Sequence, residues 1–244
     1  VGKAGSGMHI HMRIMKDGKS CMTESGKLSE IAHRAIAGMM TLAPAITAFG
    51  NKNPTSYFRL VPHQEAPTNI CWGDCNRSAL VRVPLGWSTA NDMCADANPV
   101  ENHCKYSDGY EVSDASAKQT VEMRSPDSSA DIYQLRAGLC TACRYGLEMP
   151  VKEALELTGR TYAGLNIHTK GSKDFAELPG CCSESADALE QVRSVFEQDN
   201  VFSPRMIDGI IRSLRSFGDK GLLADAQKGP DKVKALVDKY FYCG

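Results

Sequence analysis

Four short segments gather ionisable side chains against apolar backgrounds: Gly5-Ser6-Gly7-Met8-His9-Ile10-His11, Arg59-Leu60-Val61-Pro62-His63-Gln64-Glu65-Ala66-Pro67, Asn76-Arg77-Ser78-Ala79-Leu80-Val81-Arg82 and Glu122-Met123-Arg124-Ser125-Pro126-Asp127. If the first and last are strands, alternation puts His9 and His11 on one face, and likewise Glu122 and Arg124. Neutral imidazole and carboxylate are ordinary ligands for a divalent cation. Arg59, Arg77, Arg82 and Arg124 offer planar forks that bind carboxylate and phosphate through two parallel hydrogen bonds. Together these residue types suit a multiply anionic substrate handled with a metal ion. Each position taken singly is more often a solvated surface group, and Gly5-Ser6-Gly7 alone is a poor phosphate signature. His33, His103 and His168 fall outside the clusters and keep the surface reading.

The elements that must carry these groups are legible in part. Residues 28–49 place Leu28, Ile31, Ala32, Ala35, Ile36, Met39 and Met40 at helical spacing, with Ser25 or Ser29 near the start and Gly50-Asn51 at the end. Pro44 is expected to kink or divide that helix. Short β-branched or apolar runs at 57–62, 68–72 and 78–83 predict strands joined by short loops. Residues 85–119, rich in Asn, Asp, Ser and Gly, predict a long loop insertion. Residues 121–124 alternate apolar and charged side chains, a strand that leads into the turn Ser125-Pro126-Asp127. Helical patterns follow at 131–147, 183–196, 203–217 and 231–242, the third opened by Ser203-Pro204 as cap and first position. No internal repeat occurs. Cys140 and Cys143 fall on one apolar face of the first of these helices. Without a second CxxC at suitable distance, they read as packing rather than as half a zinc site.

Composition narrows the function classes. The 244 residues are 42% hydrophobic and 23% charged, the usual mix of a folded globular chain. Lys and Arg number 28 against 29 Asp and Glu, a net charge of −1, so no bulk electrostatic case exists for nucleic acid or an anionic membrane. The longest uncharged stretch, residues 35–51, contains Pro44 and falls short of the roughly 20 apolar residues of a spanning helix. Ten cysteines are too few for a disulfide scaffold, and no secretory signal pattern opens the chain, so reduced thiols in the cytoplasm are expected. The start, without Met, suggests a piece of a longer protein.

In their order, Gly-Ser-Gly-Met-His-Ile-His, Asn-Pro-Thr-Ser-Tyr-Phe-Arg-Leu-Val-Pro, Glu-Ala-Pro, Asn-Arg-Ser-Ala-Leu-Val-Arg-Val-Pro and Val-Glu-Met-Arg-Ser-Pro-Asp resemble the signatures of the glutamine synthetase catalytic domain. The helix at 28–49 and the tail from Leu178 to Phe202 are similar to the family's as well. The resemblance implies an α+β fold, in which antiparallel strands bearing His9, Arg59, Arg77, Arg82 and Glu122 form one side of an open funnel backed by helices. It also implies that residues 1–244 are the C-terminal portion of that domain. The family's small N-terminal β-grasp domain and upstream carboxylate ligands are absent from them, so the piece alone is expected to be inactive.

By the same resemblance, His9 and Glu122 would ligate Mg²⁺ or Mn²⁺, and His11 would line the nucleotide and substrate pocket. Gly5 would contact glutamate through its backbone, and Arg59 and Arg124 would hold glutamate and the transferred phosphate. Arg77 and Arg82 would contact the ATP phosphates, and Glu65 would close the site and take a proton from ammonium. The implied activity is ATP-dependent ligation of ammonia to glutamate, by a ring-shaped homo-oligomer. Departures from the pattern are Ala4 for Asn, Arg13 for Ser, Cys75 and Thr120 for Arg, and His63-Gln64 before the flap glutamate. They leave open a related ligase that uses another amine, or a non-catalytic member of the fold.

Overall fold

The helical stripe after Ser29 forms the axis on which everything else is hung. The computed structural model describes residues 5–62, 66–84, 118–164, 166–167, 175–226 and 228–240. In chain order the strands are β1 (Ile10–Met12), β2 (Met15–Lys16), β3 (Lys19–Ser20), β4 (Thr23–Glu24), β5 (Lys27–Leu28), β6 (Trp72–Asp74), β7 (Val81–Val83) and β8 (Val121–Met123). The α-helices are α1 (Glu30–Gly50), α2 (Ile132–Glu148), α3 (Val151–Thr161), α4 (Cys182–Gln191), α5 (Arg193–Glu197), α6 (Pro204–Ser216), α7 (Leu222–Ala226) and α8 (Pro230–Tyr240). The result is an α+β arrangement: a small mixed sheet whose buried side chains share one apolar core with α1 and helices that follow it.

Helix α1 starts where Ser29 Oγ accepts from the Ala32 amide at 3.1 Å, satisfying one of the first-turn donors that have no partner within the helix. It is apolar over most of its circumference, and from Ile36 to Phe49 all residues but the exposed Thr41 and the half-buried Pro44 are buried, as expected of a helix largely enclosed by others. Helices α2, α3 and α4 pack against it. At its C-terminal end, Phe49 meets Phe196 edge-on at 5.2 Å and stacks on Phe202 at 5.0 Å. Pro44 does not divide the helix. Its neighbours are buried, and the Thr47 hydroxyl donates to the Pro44 carbonyl at 2.6 Å within a continuous Glu30–Gly50 helix.

The sheet runs β1-β8-β7-β6. It is antiparallel through β1, β8 and β7, and β6 joins β7 in parallel. Two short hairpins, β2–β3 and β4–β5, precede α1. They turn at Asp17-Gly18 and Ser25-Gly26, where all four residues have positive φ, the left-handed geometry of tight hairpin turns.

Several local expectations are corrected. Residues 57–62 are not a strand: Asn53 caps a 3₁₀ helix, Pro54–Phe58, by accepting from the Ser56 amide, and Pro54 presets its first turn. Arg59 therefore ends a helical turn. The strand expected at 68–72 begins only at Trp72, and that at 78–83 only at Val81, because Asn76 Oδ1 accepts from the Ser78 amide and hydroxyl and folds this motif into a turn. Helix 183–196 is broken at Val192. The loop expected at 85–119 lies outside the described residues except for Lys118 and Gln119.

Cys140 and Cys143 border one groove with Met12, Ile14 and Leu147; Cys143 packs against the core, whereas Cys140 is exposed. Burial, and then Cys140, pushes the Cys143 thiol up to about 12, away from the thiolate that a metal needs.

Candidate active site

Register assembles the site. Antiparallel pairing sets His11 opposite Glu122 on β8, and Glu122 opposite Arg82 on β7, so three side chains from distant segments form one row across the sheet. His9 lies two residues before His11 and shares its face, as Arg124 shares that of Glu122.

Glu122 is the centre of this row and is fully buried. Its Oε1 is 2.7 Å from His9 Nδ1 and 3.4 Å from Arg124 Nε. Its Oε2 accepts from Arg82 Nε at 2.9 Å and Nη2 at 2.7 Å, and lies 3.7 Å from His11 Nε2. A carboxylate without water is costly unless paired and hydrogen-bonded, and two guanidiniums and an imidazole supply that pairing here. Arg124 is anchored in turn, with Nη1 donating to the carbonyls of Arg77 and, at 3.0 Å, Ala79. His11 Nδ1 is 3.1 Å from the Thr120 hydroxyl, an orienting contact at a position noted in the sequence only as a departure.

The C-terminal end of α1 fixes the turn after β8. Asn51 Nδ2 donates to the Ser125 carbonyl at 2.9 Å, and the Asp127 amide donates to the Gly50 carbonyl at 3.1 Å. Arg59 Nη2 donates to the Ser125 carbonyl and, at 2.9 Å, to that of Pro126. Asn51 is thus a positioning residue outside the four segments, hinted at only by the helix-ending Gly50-Asn51 signal, and Asp127, inside the last segment, is a second one to which no role was assigned. Gly7 faces Arg59 closely enough that a Cβ there would stand 3.3 Å from Nη1. Gly5, Gly7, His9, Arg59 and Arg124 border one cleft of about 290 Å³.

The structure therefore brings together His9, His11, Arg82, Glu122 and Arg124, and joins Gly5 and Arg59 to them through the cleft. Arg77 enters through its carbonyl, with its side chain exposed. Glu65 lies outside the described residues.

A divalent cation with ligands near 2.1 Å at right angles sets neighbouring donors about 3 Å apart. The 2.7 Å between His9 Nδ1 and Glu122 Oε1 fits two adjacent corners of that polyhedron. Among the described residues no group of three His, Cys, Asp or Glu encloses an ion, so the pair fits as two ligands of a larger set that includes water.

The imidazole of His9 lies below its ordinary value, first through burial, which outweighs the opposing Glu122 charge, and then through Arg124, Arg82 and Arg59. Burial lowers His33 as well, against the pull of Asp74. The unfolded chain takes up these protons near pH 6.5 and the folded chain only at lower pH. Stability from both groups is therefore present above pH 6.5 and is lost as pH falls through the lowered folded values. The urea midpoint is expected to drop between pH 7 and pH 5. His33→Phe, which keeps a ring against Trp72, should flatten that drop. An unchanged pH profile in the variant would remove His33 from the explanation.

Comparison with known proteins gives concordant matches. Residues 1–104 match the family described as glutamine synthetase, catalytic domain. Glutamine synthetase of Pyrococcus furiosus is 31% identical over 196 residues, 80% of this chain and 38% of that protein. The Aquifex aeolicus enzyme is 30% identical over 218 residues, 88% of this chain and 40% of the relative. The Pseudomonas aeruginosa enzyme is 30% identical over 215 residues, 86% and 39% respectively. Against these relatives the chain spans 38–40% of their length. The cryo-EM structure of Plasmodium falciparum glutamine synthetase shares the fold, with a TM-score of 0.61 at 19% identity, covering 88% of this chain and 44% of that one.

Proposed function

We infer that this chain is the C-terminal portion of a glutamine synthetase catalytic domain, and that the intact protein ligates ammonia to glutamate at the expense of ATP through a γ-glutamyl phosphate. The observation that carries this reading is the buried Glu122 carboxylate, paired with His9 and ringed by guanidiniums beside an open cleft.

Transfer of the γ-phosphoryl group to a carboxylate brings two anions together, and the barrier is mostly the cost of that approach. His9 and Glu122 are the residues that would hold Mg²⁺ or Mn²⁺, which when bound neutralises charge on the phosphoryl oxygens. Arg82 and Arg77 present forks to the phosphates. Arg59 and Arg124, both buried and fixed to backbone carbonyls, hold their charge in place before the substrate arrives, so little reorganisation remains at the moment of transfer. Gly5 presents backbone to glutamate at the cleft, and His11 borders the nucleotide. Glu65 is assigned as acceptor of the ammonium proton, which frees the nucleophilic lone pair for attack on the acyl phosphate. Among the described residues no helix is long and apolar enough to cross a membrane, and the described cysteines are free thiols. We place the reaction in the cytoplasm.

The test is phosphate release and glutamine formation by the intact protein with ATP, glutamate and a panel of amines. Release that requires both glutamate and ammonium is the expected result. Release that requires a different amine would move the protein to a related ligase, and no ATP cleavage with any amine would make it a non-catalytic member of the fold.

A further inference from the structure

Arg59 reaches the cleft from a turn that needs outside support. Residues Pro54–Phe58 form a single 3₁₀ helix of five residues, and the Arg59 amide closes it by donating to the Ser56 carbonyl at 3.3 Å. Hydrogen-bond geometry in such a helix is poor, and runs longer than about 3–4 residues are uncommon. Two neighbouring hydroxyls tie it down. Ser56 Oγ lies 3.0 Å from Ser129 Oγ, which donates to Asp127 Oδ1 at 2.6 Å. Tyr57 reaches the helical layer instead: its hydroxyl donates to the Asn51 carbonyl at 3.0 Å and lies 2.5 Å from Ser185 Oγ on α4, itself 2.6 Å from Thr47 Oγ1 on α1. Tyr57 is 1% exposed, and Thr47 and Ser185 are fully buried, so water cannot replace a lost partner. Burial holds the Tyr57 phenol well above its ordinary value, which keeps it protonated and a donor.

These contacts close a ring. The Tyr57 hydroxyl meets the Asn51 carbonyl, the Asn51 side chain meets the Ser125 carbonyl, and that carbonyl meets the guanidinium of Arg59, two residues on from Tyr57. We propose that Tyr57, held by Ser185, is a positioning residue for Arg59: it fixes where the Arg59 arm starts against the same residue, Asn51, that fixes where the guanidinium ends. The proposal rests on the reading of Arg59 as a holder of glutamate, and adds the group that aims it. A fork making two parallel bonds to a carboxylate tolerates little displacement, and a misplacement of about 1 Å can cost up to about 10²-fold. Loosening the arm weakens glutamate binding and leaves the ATP phosphates, assigned to Arg77 and Arg82, untouched.

The measurement is steady-state kinetics of the intact protein with glutamate and ATP varied in turn. Tyr57→Phe keeps the ring and removes the hydroxyl. It is expected to raise KM for glutamate by about fivefold or more, with KM for ATP and kcat within about twofold of the parent. A purely structural loss gives the opposite split, because less folded enzyme lowers kcat and leaves both KM values alone. Ser185→Ala removes the partner that holds the phenol, and should raise KM for glutamate by about twofold or more. Thr141→Val is the control: it deletes a buried hydroxyl on α2 that has no hydrogen-bond partner among the described residues, and should leave every constant unchanged. An unchanged KM for glutamate in folded Tyr57→Phe would overturn the proposal, and in Ser185→Ala should Tyr57→Phe not fold. So would an equal rise in Thr141→Val. An unchanged KM for glutamate in Arg59→Gln would instead overturn the assignment of Arg59 to glutamate.

Discussion

Replacing Glu122 with Gln in the intact protein is expected to lower glutamine formation by about a hundredfold or more, with the fold retained. The substitution keeps the shape but only one carbonyl oxygen, and because Arg82 and Arg124 meet different oxygens of Glu122, one of the two loses its acceptor. It removes the negative charge that a cation requires, and loss of one charge-stabilising group at a phosphoryl or acyl transfer site costs about 10²–10³ in turnover. The stability cost is smaller, of order 1–3 kcal/mol, because one buried pairing partner is weakened rather than deleted. Arg82, at the solvent edge, relaxes more easily than Arg124. Circular dichroism and Mn²⁺ binding measured beside turnover separate the two effects. A folded variant with turnover within threefold of the parent would remove Glu122 from the reaction.

How far the sequence foretold this site depends on which interactions are local. Alternation is local, so His9 with His11 and Glu122 with Arg124 were assigned to common faces correctly, and the register places both pairs together. That Arg82 stands opposite Glu122 is not local. It follows from the pairing of β7 with β8, which are separated in sequence by residues 84–120, and no spacing in either segment predicts it. The two hairpins carry turn signals in Asp17-Gly18 and Ser25-Gly26, but flanking strands of two residues are too short to show an alternation. Residues 57–62 carry β-forming side chains, but the Asn53 cap and Pro54 lie just upstream and start a helical turn that overrides them. The buried network of Asn51, Ser125 and Asp127 was invisible, because its members come from different elements and meet only once α1 is docked.

The docking of α1 has its own requirement, and helix propensity gives the wrong sign for it. Gly38 on α1 and Gly146 on α2 face each other where the helices cross. A Cβ added to Gly38 would meet the Ala142 carbonyl far inside contact distance and stand 2.7 Å from the Gly146 nitrogen. A Cβ on Gly146 would collide with the Arg34 carbonyl in the same way and stand 2.7 Å from the Gly38 nitrogen. These neighbours are backbone atoms, so no rotamer change relieves them, and the helices must move apart by about an ångström. Propensity alone predicts that Gly→Ala inside a helix stabilises by about 1 kcal/mol. Overpacking against rigid backbone costs about 3 kcal/mol or more, and therefore decides the outcome. Gly38→Ala and Gly146→Ala are expected to lower stability by at least about 2 kcal/mol net, read from urea denaturation. Gly209 on α6 provides the opposite case: it is exposed and nothing lies within 4 Å of the Cβ it would gain. Gly209→Ala should therefore raise stability by up to about 1 kcal/mol. If Gly38→Ala and Gly146→Ala raised the midpoint as Gly209→Ala does, the close crossing of α1 and α2 would be refuted. With it would go the support that Asn51, at the end of α1, gives to the strand carrying Glu122.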